Sequence, residues 1–142
     1  MNRLQRVGEY LRFDSSLDVR LSEFAILLVA RRWSQRFELS VHYPLAARAG
    51  IPIAVLDALA EGRRPAGLSS PEETIYDLCD ELFRTAGVSD STYDRAIEHL
   101  SEKGVIDLLG MIGYFTTVSF IMNVAHTPVR DPEVSPLRAF PL

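Results

Sequence analysis

The chain has 142 residues, 47% of them hydrophobic, enough for one domain to bury roughly 68–70% of its unfolded surface without a disulfide or structural metal. With 15 Lys and Arg against 19 Asp and Glu, the formal net charge is −4, which argues against a general electrostatic hold on nucleic acid or an anionic membrane. A single cysteine, Cys79, excludes an intrachain disulfide, a cysteine-rich zinc site and intrachain CxxC chemistry.

In chain order, the N-terminal stretch MNRLQRVGEYLRFD lacks an apolar signal core, which predicts a cytoplasmic address. Residues 21–32 are apolar on nearly every face between Phe24 and Ala30, the pattern of a central helix. A second helix is expected over 37–49, with Gly50 in the left-handed position past its end. A third follows over 52–61, with Pro52 in its first turn and Gly62 as its stop. Ser70, Pro71 and Glu73 predict a capping box. From there Ile75, Leu78, Cys79, Leu82, Phe83 and Ala86 recur at helical spacing up to Gly87. Ser89 and Asp90 open a fifth helix to about 103, stopped by Gly104, with a thin stripe of Tyr93, Ala96, Ile97 and Leu100.

The sixth helix, 105–125, is the most apolar. Its last 18 residues carry no charge, which touches the lower limit for a membrane span. Gly110, Gly113, Thr116, Thr117, Ser119 and Asn123 dilute it, and no basic cluster marks one side, so a buried or subunit-interface helix is expected and no membrane. Such a helix is too apolar to be covered by the thin stripe before it. This predicts a partner surface, most simply a second copy of the chain. Pro128, Pro132, Pro136 and Pro141 predict an extended tail over 127–142. The reading is an all-α, single-domain bundle of about six helices.

Acid–base groups come together at one place. Glu38 and His42 are four residues apart, on one helical face, among Phe37, Val41 and Leu45. A carboxylate beside an imidazole raises its pKa and fixes its tautomer, as a proton donor near neutral pH requires. The plainer reading is a satisfied surface pair. Pro44 frees the carbonyl of Ser40 and predicts a kink or helix start beside His42. Glu23 shares a face with Ile26, Leu27 and Ala30, where burial demands a partner; a salt bridge to Arg20 or another arginine is the alternative. Two side chains do not fill a metal shell, so no metal is expected. His99 reads as solvated among Asp94, Arg95, Glu98 and Glu102, and His126 as a structural cation at a helix end. Cys79 reads as core, and Gly110 with Gly113 as a close-packing stripe. No GxGxxG, P-loop or GxSxG motif occurs, and no cofactor is expected.

The run from Glu23 to Arg31, then Trp33, Phe37-Glu38-x-x-x-His42, Ala46-x-x-x-Gly50, Leu59-x-x-Gly62, the helix around 73–86 and 108–123 with Gly113-Tyr114 resembles the carboxymuconolactone decarboxylase family. The resemblance extends over roughly residues 8–128. The superfamily also holds a thiol branch, the alkylhydroperoxidase-D-like proteins, with a relay of Glu, CxxC and a His four residues after the second Cys. In that resemblance Glu23 matches the relay glutamate and His42 the relay histidine, while Gln35 and Glu38 stand at the two cysteine positions. Peroxide or disulfide chemistry needs those thiolates.

The resemblance therefore implies the branch without CxxC: cofactor-free decarboxylation of a small lactone or keto acid in aromatic-compound catabolism. His42 would return the proton, with Glu38 or Glu23 orienting it. An arginine would hold the anionic substrate: Arg12 first, with Arg31 and Arg32 as alternatives, and Tyr114 beside it. A trimer of dimers is also implied. Two other readings stay open, a non-catalytic oligomeric helical protein with a buried polar tie, and a cofactor-free hydrolase or isomerase of another small lactone.

Overall fold

The apolar run 24–30 lies at the centre of the molecule: Phe24, Ala25, Ile26, Leu27, Val29 and Ala30 are all at most 1% exposed. The computed structural model describes residues 2–129. Its helices are α1 (Asn2–Phe13), α2 (Val19–Arg32), α3 (Arg36–Arg48), α4 (Ile53–Glu61), α5 (Ser70–Thr85) and α6 (Asp90–Val124). Among the described residues there is no strand. α2 packs against α3, α4, α5 and α6, which explains its lack of a polar face. Leu39, Leu56, Leu59, Ile75, Leu78, Leu108 and Met111 close the core around it.

Sequence and structure differ at several element ends. α1 was not expected as a helix, because it buries only Gly8 and Leu11. It is held instead by Asp107, which accepts hydrogen bonds from Tyr10 Oη (2.9 Å), the Ser16 amide (2.8 Å), Ser16 Oγ (2.7 Å) and Lys103 Nζ (2.8 Å). Gly8 lies so close to the Tyr114 hydroxyl that a Cβ there would collide with it.

The capping box forms one residue earlier than expected. Ser69 caps α5, accepting from the Glu72 amide at 3.4 Å, and Glu72 accepts from the Ser69 amide at 2.9 Å. Both Ser-x-x-Glu registers are available in the sequence. The ion pair from Arg20 Nε to Glu72 (2.6 Å), with Glu72 only 1% exposed, selects this one. Gly50 (φ +92°) and Gly62 (φ +75°) take the left-handed positions after α3 and α4. After α5 that position falls to Ala86 (φ 60°), not to Gly87.

The two helices expected on either side of Gly104 form one element with a break at Ser101 (φ 64°, ψ 169°). Ser101 Oγ accepts from the Gly104 amide at 3.3 Å, so it acts as an internal N-cap for the second limb. That limb is less buried than expected. Leu108, Met111, Phe115 and Ser119 face the core, while Ile106, Leu109, Phe120, Ile121 and Val124 are exposed. By length and composition α6 alone among the described helices could cross a membrane, yet its inner stripe is part of the protein's own core. α3 runs through Pro44 without a break. The expected proline-rich strap lies outside the described residues from 130 onward.

Candidate functional site

α2 and α3 pack side by side and bring Glu23, Glu38 and His42 together. α2 begins at Val19, so Glu23 stands in its second turn, beyond most of the helix-dipole benefit. Glu38 lies in the first turn of α3, where the dipole favours its charge. His42 follows one turn later. Its Nδ1 donates to Oε2 of Glu23 at 2.7 Å, and its Nε2 lies 3.2 Å from Oε2 of Glu38. Arg20, the alternative partner for Glu23, pairs with Glu72 instead.

All three side chains are buried, with residue exposures of 7% (Glu23), 8% (Glu38) and 4% (His42). Burial opposes charge on the imidazole, but hydrogen bonds and attraction from both carboxylates outweigh it, and the pKa of His42 is pushed up to about 9. His42 is therefore a buried imidazolium at neutral pH. Nδ1 is hydrogen-bonded to Glu23, while Nε2 stands beside Glu38 without a hydrogen bond to it.

The surroundings position this triad. The Phe115 ring meets the His42 ring edge-on, centroids 5.4 Å apart. Gln35 caps α3, its Oε1 accepting from the amides of Phe37 (2.6 Å) and Glu38 (3.3 Å). Its Nε2 donates to Asn123 Oδ1 at 2.9 Å. These contacts run α3 and the end of α6 in opposite directions and bracket Glu38 and Ser119 between them. Two polar atoms in that interval have no hydrogen-bond partner among the described residues: Glu38 Oε2, whose approach to His42 is off-line, and Ser119 Oγ, which is fully buried. Sequence reasoning missed Ser119, since a serine in an apolar helix reads as dilution.

The proposed substrate-binding residues are dispersed. Arg12 is exposed on α1, its guanidinium over the Phe13 ring. Tyr114 packs against Gly8 and meets Phe115 edge-on at 5.1 Å, one ring removed from His42. Arg31 and Arg32 line a cavity of about 120 Å³ between α2, α4 and α5, and no member of the triad lines it. His99 and His126 are exposed. Cys79 is buried, which pushes its thiol up to about 12.

The helical arrangement has a counterpart among solved structures. A protein of unknown function from Agrobacterium tumefaciens, described as a "Putative Antioxidant Defence Protein AhpD", superposes with a TM-score of 0.81 over 92% of this chain and 90% of its own, at 14% identity. The fold is AhpD-like. At that identity the likeness carries architecture alone. No family model matches the sequence, and no curated protein matches it.

Proposed function

We propose that this AhpD-like chain is a cofactor-independent acid–base enzyme of the carboxymuconolactone decarboxylase type, acting on a small anionic lactone or keto acid. One observation carries the reading: a buried imidazolium held between two carboxylates on separate helices. Thiol peroxide chemistry, which the resemblance gives to the alkylhydroperoxidase-D-like branch, would require thiolates where this chain has Gln35 and Glu38. Gln35 is committed to capping α3, and Cys79 is buried with its thiol held protonated.

In the proposed reaction the bond between the substrate carbon and its carboxylate breaks, and CO₂ leaves. The electron pair passes into the conjugated carbonyl as a dienolate, so the substrate is its own electron sink. His42 gives its Nε2 proton to the carbanionic carbon, and water restores it. Glu23 fixes the ring through Nδ1 and stabilises the imidazolium, as a carboxylate behind a catalytic histidine does. Glu38, close to Nε2, receives or relays the returning proton. Glu38 Oε2 is the unpartnered polar atom beside the reacting position. Tyr114, one ring away, is the first substrate-binding candidate; Arg12 and Arg31 serve as comparison variants.

The test is CO₂ release from carboxymuconolactone and related butenolide acids without added cofactor. His42→Ala should lower turnover by about 10²–10⁴-fold with the fold intact. The competing reading, a structural tie, expects no turnover by the native chain and a stability loss of about 1–3 kcal/mol in the same variant.

A further inference from the structure

The cavity between α2, α4 and α5 is walled by apolar and aromatic groups, Leu28, Leu59, Tyr76 and Phe83, with Arg31 and Arg32 on the same lining. Its volume, about 120 Å³, is of the order that holds one six-membered ring; an engineered apolar cavity of about 150 Å³ takes up benzene. The charges on the lining are unevenly satisfied. Arg63 is paired with Glu61 at 2.6 Å, and Asp80 with Arg84 at 3.2 Å. Arg31 and Arg32 form no ion pair with any carboxylate among the described residues. Arg32 lies over the rings of Trp33 (5.0 Å) and Phe83 (5.8 Å).

Arg31 is the more telling of the two. Its Nη1 reaches Ser34 Oγ at 3.2 Å, but its Nε is buried with no partner. A buried donor left unpaired is unfavourable by the full loss of its hydration. The backbone of Gly62 stands close against the Nε/Nη2 edge of Arg31: a Cβ at that position would lie 3.0 Å from both nitrogens. A guanidinium without a carboxylate partner on an apolar lining recognises an acid group through charge-assisted hydrogen bonds.

We infer that this cavity is a binding site for a small planar carboxylate, its acid group held by the guanidinium groups of Arg31 and Arg32 and its flat body between Leu28, Leu59 and Phe83. The site is separate from the His42 triad. Glu23 and Arg31 are eight residues apart on α2, about 12 Å along the helix, and face different neighbours. The inference therefore stands whether or not the chain is a decarboxylase.

Benzoate is the probe, with benzamide as its uncharged counterpart and inorganic phosphate as a charge without an apolar body. Calorimetric titration of the full-length chain should show saturable benzoate binding, with benzamide and phosphate each about tenfold weaker or worse. Arg31→Gln should weaken benzoate by about 10–100-fold, the worth of a charge-assisted pair, with Arg31→Lys in between. His42→Ala should bind benzoate as the native chain does. In case Arg31→Gln does not fold, amide shift mapping on the native chain should place the changes around Leu28, Arg31 and Tyr76. Equal binding of benzoate and benzamide, unchanged affinity in Arg31→Gln, phosphate as tight as benzoate, or shifts centred on His42 would each overturn the assignment.

Discussion

His42 is charged where a lone charge would be unstable, and the consequence is a pH dependence with a definite sign. Its pKa is raised to about 9 in the folded chain from about 6.5 in an unfolded one. The stabilisation is therefore fully present below about pH 6.5 and is lost as pH rises through about 9. The shift corresponds to something on the order of 3 kcal/mol. Urea unfolding at pH 6 and pH 9.5 should show this loss in the native chain and not in His42→Gln; equal slopes for both would show that the two carboxylates do not hold the proton. At this scale the sequence was legible where helical periodicity reaches. Glu38 and His42 are visible as an i, i+4 pair, but Glu23 comes from another helix and only the family resemblance placed it. Ser119 and the Gln35–Asn123 contact left no pattern at all, since their meaning depends on how α3 and α6 pass each other.

Helix ends show what propensity rules see and what tertiary contacts override. Gly50 and Gly62 were legible as left-handed caps because only glycine adopts φ near +90° without cost. Gly87 was the natural choice after α5, yet Ala86 takes the left-handed position at φ 60°. An alanine held there is less stable than glycine by about 1 kcal/mol, partly offset by the entropy glycine adds to the unfolded chain. Ala86→Gly, at an exposed site, should therefore stabilise by about 0.5–1 kcal/mol, read as a rise in the urea midpoint; a fall would mean that the cap geometry is not the one described. α1 could not be read from its own apolar pattern because a carboxylate 97 residues away fastens Tyr10. Asp107→Ala would leave the Ser16 amide and hydroxyl and the Tyr10 hydroxyl without their acceptor. The expected loss is about 2–3 kcal/mol, together with faster amide exchange confined to α1 and the α1–α2 turn. Uniform acceleration across the chain would instead make Asp107 part of the global core.

At the scale of the whole molecule, the described residues leave one face of the most apolar helix uncovered. Ile106, Leu109, Phe120, Ile121 and Val124 are 40–82% exposed. Gly110, Gly113 and Thr117 lie between them at the three- and four-residue spacing of a single stripe. Among the described residues no atom lies within 4 Å of where a Cβ on Gly113 would stand, so a second helix could approach the backbone closely there. The stripe is continuous, and an apolar patch of this kind on a chain with a formal charge of −4 fits association through a matched surface rather than through charge. Closed symmetric assembly is the ordinary outcome for identical chains; we propose that two copies meet across α6, and the resemblance to the decarboxylase family implies a trimer of dimers. Light scattering on the native chain should give a mass that is an even multiple of the monomer at micromolar concentration. Ile121→Glu introduces one charge per copy at the stripe, two facing each other across a twofold axis, and should shift the mass toward the monomer. Because Ile121 is half exposed and away from the core, the variant should keep its helical circular dichroism. A native chain that is monomeric at that concentration, or an Ile121→Glu variant of unchanged mass, would show that α6 is not the assembly face.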